Sequence, residues 1–277
     1  MRASDSLSFT VQGHRGCRGY FPENTLAAFF YAAQLGVHYL ELDVVCTGDG
    51  QLLVSHDPYM HHEICAHPDG RAISEEESTS LNIYRMTVEE IQRYRCGEKG
   101  HFRFPLQQRA PSHKPLLKEL VDAIHHWPLV RKPRLNIEIK SQAEWDDHFH
   151  PQPARYAAII ADHLRDLELV DTAIVQSFDS RILNELHALL PNVRSVFLTE
   201  TKNRPLLDQL DQLTFTPYGI SPHFSLIDEA LVHQCKEKNL ALSAWTVNDQ
   251  KDMKYLIALG LRNIISDYPD RALAMMY

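Results

Sequence analysis

The chain has 277 residues, a formal net charge of −8, 44% hydrophobic and 23% charged residues, proportions of an ordinary globular protein long enough to bury a core without staples. No apolar run reaches the length of a membrane span, and the acidic balance without a basic, aromatic-interleaved stripe argues against nucleic acid as a partner. Cys17, Cys46, Cys65, Cys96 and Cys235 are odd in number, scattered and without a CxxC, so they read as free thiols.

The chain opens without a basic region followed by an apolar stretch, and strand-like sequence begins near Ser8. A cytoplasmic location is the expectation, or a periplasmic one if a leader has been removed. Residues 9–11 predict a strand, so His14 and Arg15 fall where a strand hands over to a glycine-rich loop. Asn24 stands as an N-cap ahead of Leu26, Phe29, Phe30 and Ala33 at helical spacing, with Gly36 as the stop. Residues 38–45 and 51–56 predict strands joined across Thr47-Gly48-Asp49-Gly50, and Asp-Gly between such runs signals a hairpin. With Asp49 and Gly50 as a two-residue loop, His56 stands opposite Asp43, and Glu41 shares Asp43's face because side chains alternate along a strand.

Residues 57–115 lack strand–helix alternation and are too long for a structureless loop, which predicts an inserted subdomain. One helix is legible there, from the Thr87/Glu90 capping box with Met86 and Ile91 placed as a staple. From Leu116 the rhythm is regular. Helices are expected at 116–126, 154–167, 181–190, 205–213, 226–238 behind Ser225, and 250–259 closed by Gly260. Strands are expected at 135–139, 173–176, 194–198, 219–221, 240–244 and 263–266. Such alternation implies parallel strands with crossover helices. Nine strand-like runs, less the antiparallel return arm of the hairpin, leave eight. The expectation is a single domain over residues 1–277, an α/β (β/α)8 TIM barrel with a small subdomain inserted over 57–115. An open doubly wound sheet is the runner-up, weakened by the lack of a phosphate-binding glycine loop.

A barrel of this kind carries its site at the C-terminal ends of its strands. Those ends hold His14 and Arg15, Glu41 and Asp43, Glu138 and Lys140, Ser177 and Phe178, Trp245, and Asp267. Three carboxylates directed into one mouth repel unless a cation joins them, and hard oxygen ligands suit Mg²⁺ or Ca²⁺ better than zinc. Arg15 and Lys140 add the positive charge that an anionic substrate needs. Singly, each group has a plainer reading: Glu138 with Lys140 as an interior ion pair, either histidine as a satisfied core group, Trp245 as packing. Joint placement at strand ends favours a site. His61, His62, Cys65 and His67 look metal-like but lack a partner pair and read as solvated loop.

These residues also match a family. His14-Arg15-Gly16, Pro22-Glu23-Asn24-Thr25, Glu41-Leu42-Asp43-Val44, the Thr-Gly-Asp-Gly turn and His56-Asp57 come first, followed by Glu138-Ile139-Lys140, Ser177-Phe178-Asp179, Trp245-Thr246-Val247-Asn248 and Ser266-Asp267-Tyr268-Pro269. In this order and spacing, from about residue 12 to 270, they resemble the glycerophosphodiester phosphodiesterases. The resemblance implies a (β/α)8 barrel with an insertion after the second histidine, metal ligands at Glu41, Asp43 and Glu138, and a catalytic pair at His14 and His56. The sequence departs from the family at Lys114-Pro115-Leu116-Leu117-Lys118-Glu119-Leu120, where Pro-Thr-Leu-Glu-Glu is commoner.

The expected reaction is hydrolysis of a glycerophosphodiester to glycerol 3-phosphate and an alcohol, assisted by one Mg²⁺ or Ca²⁺. One histidine removes a proton from the attacking oxygen and the other protonates the departing alkoxide, in an order the sequence leaves open. Arg15 and Lys140 serve the phosphate, and Phe178 and Trp245 line an apolar wall. Two other readings stand beside it: cleavage of a longer lipid phosphodiester, as by a lysophospholipase D, and non-catalytic binding of a glycerophosphodiester.

Overall fold

Chain order and strand alternation together determine the architecture of the computed structural model, which describes residues 9–202 and 204–276. The onset expected near Ser8, and the reading of the leading segment, lie outside the described residues. β1 (Thr10–Gly13) leads through α1 (Leu26–Leu35) to β2 (Tyr39–Cys46), whose antiparallel hairpin partner is β3 (Leu52–Val54). The 57–115 segment follows with a two-stranded ribbon, β4 (Cys65–Ala66) and β5 (Arg95–Cys96), and the short helices α2 (Glu75–Ser78) and α3 (Val88–Gln92). After α4 (Leu117–His126) come β6 (Arg134–Ile139), α5 (Pro153–Asp166), β7 (Ile174–Ser177), α6 (Ser180–Leu189), β8 (Arg194–Thr199) and β9 (Gly219–Pro222). The chain ends through α7 (Glu229–Glu237), β10 (Ala241–Leu242), α8 (Gln250–Ala258), β11 (Asn263–Ser266) and α9 (Pro269–Leu273).

The strand order β10-β9-β8-β7-β6-β2-β1-β11 is parallel throughout. Ala244 N donates to Asn263 O at 3.1 Å and Ile265 N to Ala244 O at 2.9 Å, which joins the last strand to the end of β10 and closes the expected (β/α)8 barrel. Along β2 and β6 the outward residues Leu40, Leu42, Val44, Leu135, Ile137 and Ile139 are buried in the core shared with the helices. Each fully buried aliphatic side chain of this kind contributes about 2 kcal/mol. The intervening residues Glu41, Asp43, Asn136 and Glu138 face the barrel axis, as strand alternation requires.

That interior is more polar than the branched aliphatic layers usual for the fold. Asn136 Nδ2 donates to Gln12 Oε1 at 2.8 Å and to Gln176 Oε1 at 3.1 Å, and Gln12 Nε2 donates to Asn263 Oδ1 at 3.0 Å. Gln176 then passes its own amide hydrogen upward to Glu41 Oε1 at 3.1 Å, so the interior network ends on a carboxylate at the mouth. The 57–115 segment has a core of its own, in which Met60, Ile73, Ile83 and Ile91 pack on Val45 and Leu53 of the hairpin.

Several local expectations change. Asn24 does not cap α1. Thr25 does, accepting from Ala28 N at 3.2 Å, because the Asn24 side chain is taken by Asp43. The hairpin loop has three residues, with Gly50 at φ 79° and Thr47 N bonded to Gln51 O, the arrangement a left-handed glycine produces. The register therefore slips by one, and Ser55, not His56, stands opposite Asp43. Residues 207–212 form a 3₁₀ turn instead of an α-helix. Asp228, not Ser225, caps α7, because its carboxylate accepts from Leu231 N at 2.8 Å. Ahead of α4, Glu119 bonds back to Leu116 N, but leucine has no acceptor and completes only half a capping box. The Thr87/Glu90 capping box forms as expected. No helix among the described residues is long and apolar enough to cross a membrane.

Candidate active site

The loop after β1 makes a turn only glycine permits. Gly16 has φ 87°, and a Cβ there would meet the Ala28 carbonyl carbon at 2.7 Å. This turn aims the Arg15 N–H at Glu41 Oε2, 3.0 Å away. It also leaves His14 at the end of β1 with two carboxylates beside its ring. Nδ1 lies 2.7 Å from Asp267 Oδ1, and Nε2 lies 3.9 Å from Glu41 Oε2.

Burial drives the His14 pKa down to about 4, against the pull of Asp267, so the ring is neutral at pH 7. The contacts of the His14 and Arg18 side chains hold Asp267 well below the usual carboxylate range in spite of its burial. An ionised carboxylate only accepts, which assigns the His14 proton to Nδ1 and leaves a lone pair on Nε2. Arg18 locks the carboxylate with Nε at 2.9 Å and Nη2 at 3.2 Å, and Asn248 Nδ2 adds a bond at 2.7 Å.

Glu41, Asp43 and Glu138 place one oxygen each within 4.8 Å of one another, and all three are buried. Burial raises Glu41 well above its ordinary range, and the neighbouring Asp43 and Glu138 raise it further. Burial raises Glu138 as well. Asp43 stays low despite burial because Arg15 and Lys140 face it. Lys140 Nζ donates to Glu138 Oε1 at 2.6 Å and lies 3.7 Å from Asp43 Oδ1, while Asn24 Nδ2 donates to Asp43 Oδ2 at 2.9 Å.

Counted together, Glu23, Glu41, Asp43, Glu138 and Asp267 face Arg15, Arg18 and Lys140. With all five carboxylates ionised the cluster would be two positive charges short, the charge of one divalent cation. The all-oxygen triad and the raised Glu41 fit a hard divalent ion, which would allow Glu41 to ionise.

His14, Arg15, Arg18, Glu23, Glu41, Glu138 and Lys140 line one cavity of about 490 Å³ together with His56, Phe178 and Trp245. Of the nine side chains given a role in the sequence, eight line this cleft, and Asp43 stands behind it among the buried carboxylates. Ser177 and Asp267, also expected at strand ends, are buried outside its lining. His56 reaches it although the register slips, because β3 stops at Val54 and strand alternation no longer governs the chain beyond. Its Nδ1 lies 3.1 Å from Asp57 Oδ1. The Phe178 and Trp245 rings meet edge to face at 5.5 Å.

Sequence reading assigned no role to Arg18, Glu23, Gln176 or Lys114. Glu23 ties Arg15 and Arg18 together at 2.8 and 3.4 Å, and the buried Lys114 donates to Ser55 Oγ at 2.7 Å. Only Glu23 had a signal, its place in the motif loop. The histidine cluster is not loose loop: His67 is buried 3.0 Å from Glu77, Cys65 is buried, and His61 lines the cavity. It forms no metal-ligand group among the described residues.

Fold and site define a (β/α)8 barrel with a buried histidine–carboxylate pair and a triad of buried carboxylates at its mouth. The chain belongs to the glycerophosphoryl diester phosphodiesterase family, whose model matches residues 14–271. It is 27% identical over 264 residues to a glycerophosphodiester phosphodiesterase of Caldanaerobacter subterraneus, covering 94% of each chain. A solved structure from Silicibacter pomeroyi, assigned as a glycerophosphoryl diester phosphodiesterase, superposes with TM-score 0.87 at 26% identity, over 97% of this chain and 93% of the other. The fold is shared with an Oleispira antarctica phosphodiesterase solved with the product sn-glycerol-3-phosphate, at TM-score 0.75, 24% identity and coverage of 96% and 95%.

Proposed function

We propose that the protein hydrolyses glycerophosphodiesters to glycerol 3-phosphate and an alcohol, with Glu41, Asp43 and Glu138 holding one Mg²⁺ or Ca²⁺. The observation that carries this reading is the His14 Nε2 lone pair directed beside a carboxylate triad in a cluster that, fully ionised, is two positive charges short. Bound to the triad, a divalent cation supplies Lewis-acid charge to the phosphoryl oxygens.

His14, neutral and held by Asp267, takes the proton of the attacking hydroxyl, either water, which gives glycerol 3-phosphate directly, or the adjacent glycerol oxygen, which gives a cyclic phosphate that water then opens to glycerol 3-phosphate. A new P–O bond forms as that proton leaves. His56, partly exposed beside Asp57, gives its proton to the alkoxide as the old P–O bond breaks, because an alkoxide is too basic to depart unaided. Arg15 lines the cavity, and its guanidinium, held by Glu23 at 2.8 Å, offers positive charge to a phosphoryl oxygen. Lys140 adds charge from the other side. Phe178 and Trp245 wall the apolar side. The chain acts as one barrel domain, with residues 57–115 forming the wall opposite.

Release of glycerol 3-phosphate from glycerophosphocholine by the purified protein with added Mg²⁺ or Ca²⁺ tests the reading. Tight substrate binding without turnover under both ions would overturn it in favour of a binding protein.

A further inference from the structure

The cavity wall supplied by the insertion contains a stretch that the chemistry above does not use. His101 and Arg103 line the cavity, yet Phe102 between them is 79% exposed and Leu106 is 57% exposed. What sets these two apart from other exposed apolar residues of the chain, such as Val130 and Tyr255, is that they stand four residues apart on one anchored loop beside the cavity. The anchoring is firm. Phe104 is buried beneath the Arg18 guanidinium, 4.7 Å from its ring centroid. Gln107 Nε2 donates to Arg18 O at 2.7 Å, and Gln108 N donates to Tyr20 O at 2.8 Å. Two successive turns, Phe104 N to His101 O and Gln107 N to Phe104 O, bracket the loop. Phe102 and Leu106 are thus presented outward from a fixed backbone beside the catalytic mouth.

Charge narrows the partner. In a chain of net charge −8, residues 99–109 contain no Asp or Glu but include Lys99, Arg103 and Arg109. Arg103, between Phe102 and Leu106 in the chain, and Arg109, three residues past Leu106, are exposed. Two isolated wedges accompanied by guanidinium groups are too small for a stable protein interface, which needs about 800 Å² per partner. They match the shallow insertion and anionic attraction by which a peripheral protein sits on a bilayer.

We propose that the 99–109 loop is a membrane-docking surface that seats the cavity mouth on an anionic lipid bilayer. Taken with the proposed phosphodiesterase chemistry, on which this second step rests, the docked enzyme draws lysophospholipid-like phosphodiesters from the bilayer plane. Phosphate enters the mouth while the acyl chain stays in the lipid.

The test is co-sedimentation of the full chain with phosphatidylcholine vesicles with and without phosphatidylglycerol, at low and high salt. Wild type should partition onto the anionic vesicles, less so at high salt. The double variant Phe102→Ser/Leu106→Ser should lose about tenfold or more in partition, the loss of two inserted apolar groups. Its melting temperature and its turnover of a water-soluble glycerophosphodiester should stay at wild-type values. Equal partition of variant and wild type, no preference for anionic vesicles, or no binding by wild type would each overturn the proposal. Partition is read without turnover, so a failure of the catalytic reading leaves this result interpretable.

Discussion

Replacing Asp267 by Asn perturbs the acid–base pair at one atom. The carboxylate accepts four hydrogen bonds: from His14 Nδ1 at 2.7 Å, Arg18 Nε at 2.9 Å and Nη2 at 3.2 Å, and Asn248 Nδ2 at 2.7 Å. Every one comes from a donor. Asparagine keeps the shape but turns one oxygen into an NH₂ group. Placed at the Oδ1 position, that group faces His14 and Arg18 Nε, and it can bond the ring only if the imidazole proton moves to Nε2, which removes the base. Placed at Oδ2, it faces Arg18 and Asn248, both donors. In either orientation the Arg18 charge keeps only Glu23, at 3.4 Å. The first orientation loses the correct tautomer and the second offers the ring a neutral acceptor that no longer stabilises the imidazolium, so either predicts a fall in kcat, of about 10²–10⁴-fold, with little change in KM. The stranded guanidinium predicts a stability loss of about 3 kcal/mol. Steady-state release of glycerol 3-phosphate at saturating divalent cation, with thermal unfolding alongside, measures both. A variant within about threefold of wild-type kcat would refute the role of Asp267 in holding the base.

His56→Ala should lower kcat by about 10²-fold or more on alkyl esters and recover much of that loss on a p-nitrophenyl ester, whose leaving group needs no proton. His14→Ala should show no such recovery, and the reverse pattern would exchange the two roles. Gly16→Ala should cost about 3 kcal/mol or abolish folding, from positive φ and the contact with Ala28 together; an unchanged melting temperature would mean the turn relaxes freely. His38 accepts the Val11 N–H at its Nδ1, at 3.2 Å, and burial with Arg131 nearby lowers its pKa. The folded state therefore prefers neutral His38, so this contribution is full above the ordinary histidine pKa and fades as pH falls below it. Urea midpoints at pH 7.5 and 5.5 should differ less in His38→Gln than in wild type.

Much of this was legible because barrels repeat one local pattern. The outward aliphatic residues of β2 and β6 and the inward Glu41, Asp43 and Glu138 follow from alternation alone. The hairpin register was misread because Gly50 in a left-handed conformation lengthens the loop by one residue, a choice that Thr-Gly-Asp-Gly does not encode uniquely. Arg18 and Gln176 escaped because they act on groups far away in the chain, Asp267 and Glu41, and long-range hydrogen bonds leave no period. The short helix α9 escaped although Pro269 stands at its first turn. Within 57–115, strands of two residues and helices of four or five are too short to show periodicity, so only the capping box stood out.

The central claim is that Glu41, Asp43 and Glu138 hold one divalent cation on which turnover depends. Strip the protein with EDTA, titrate Mg²⁺ or Ca²⁺ back by calorimetry, and follow glycerol 3-phosphate release from glycerophosphocholine in the same samples. One ion should bind per chain, turnover should rise in step with occupancy, and Glu41→Gln should weaken both. Full turnover in the stripped protein, or binding that Glu41→Gln leaves untouched, would contradict the account.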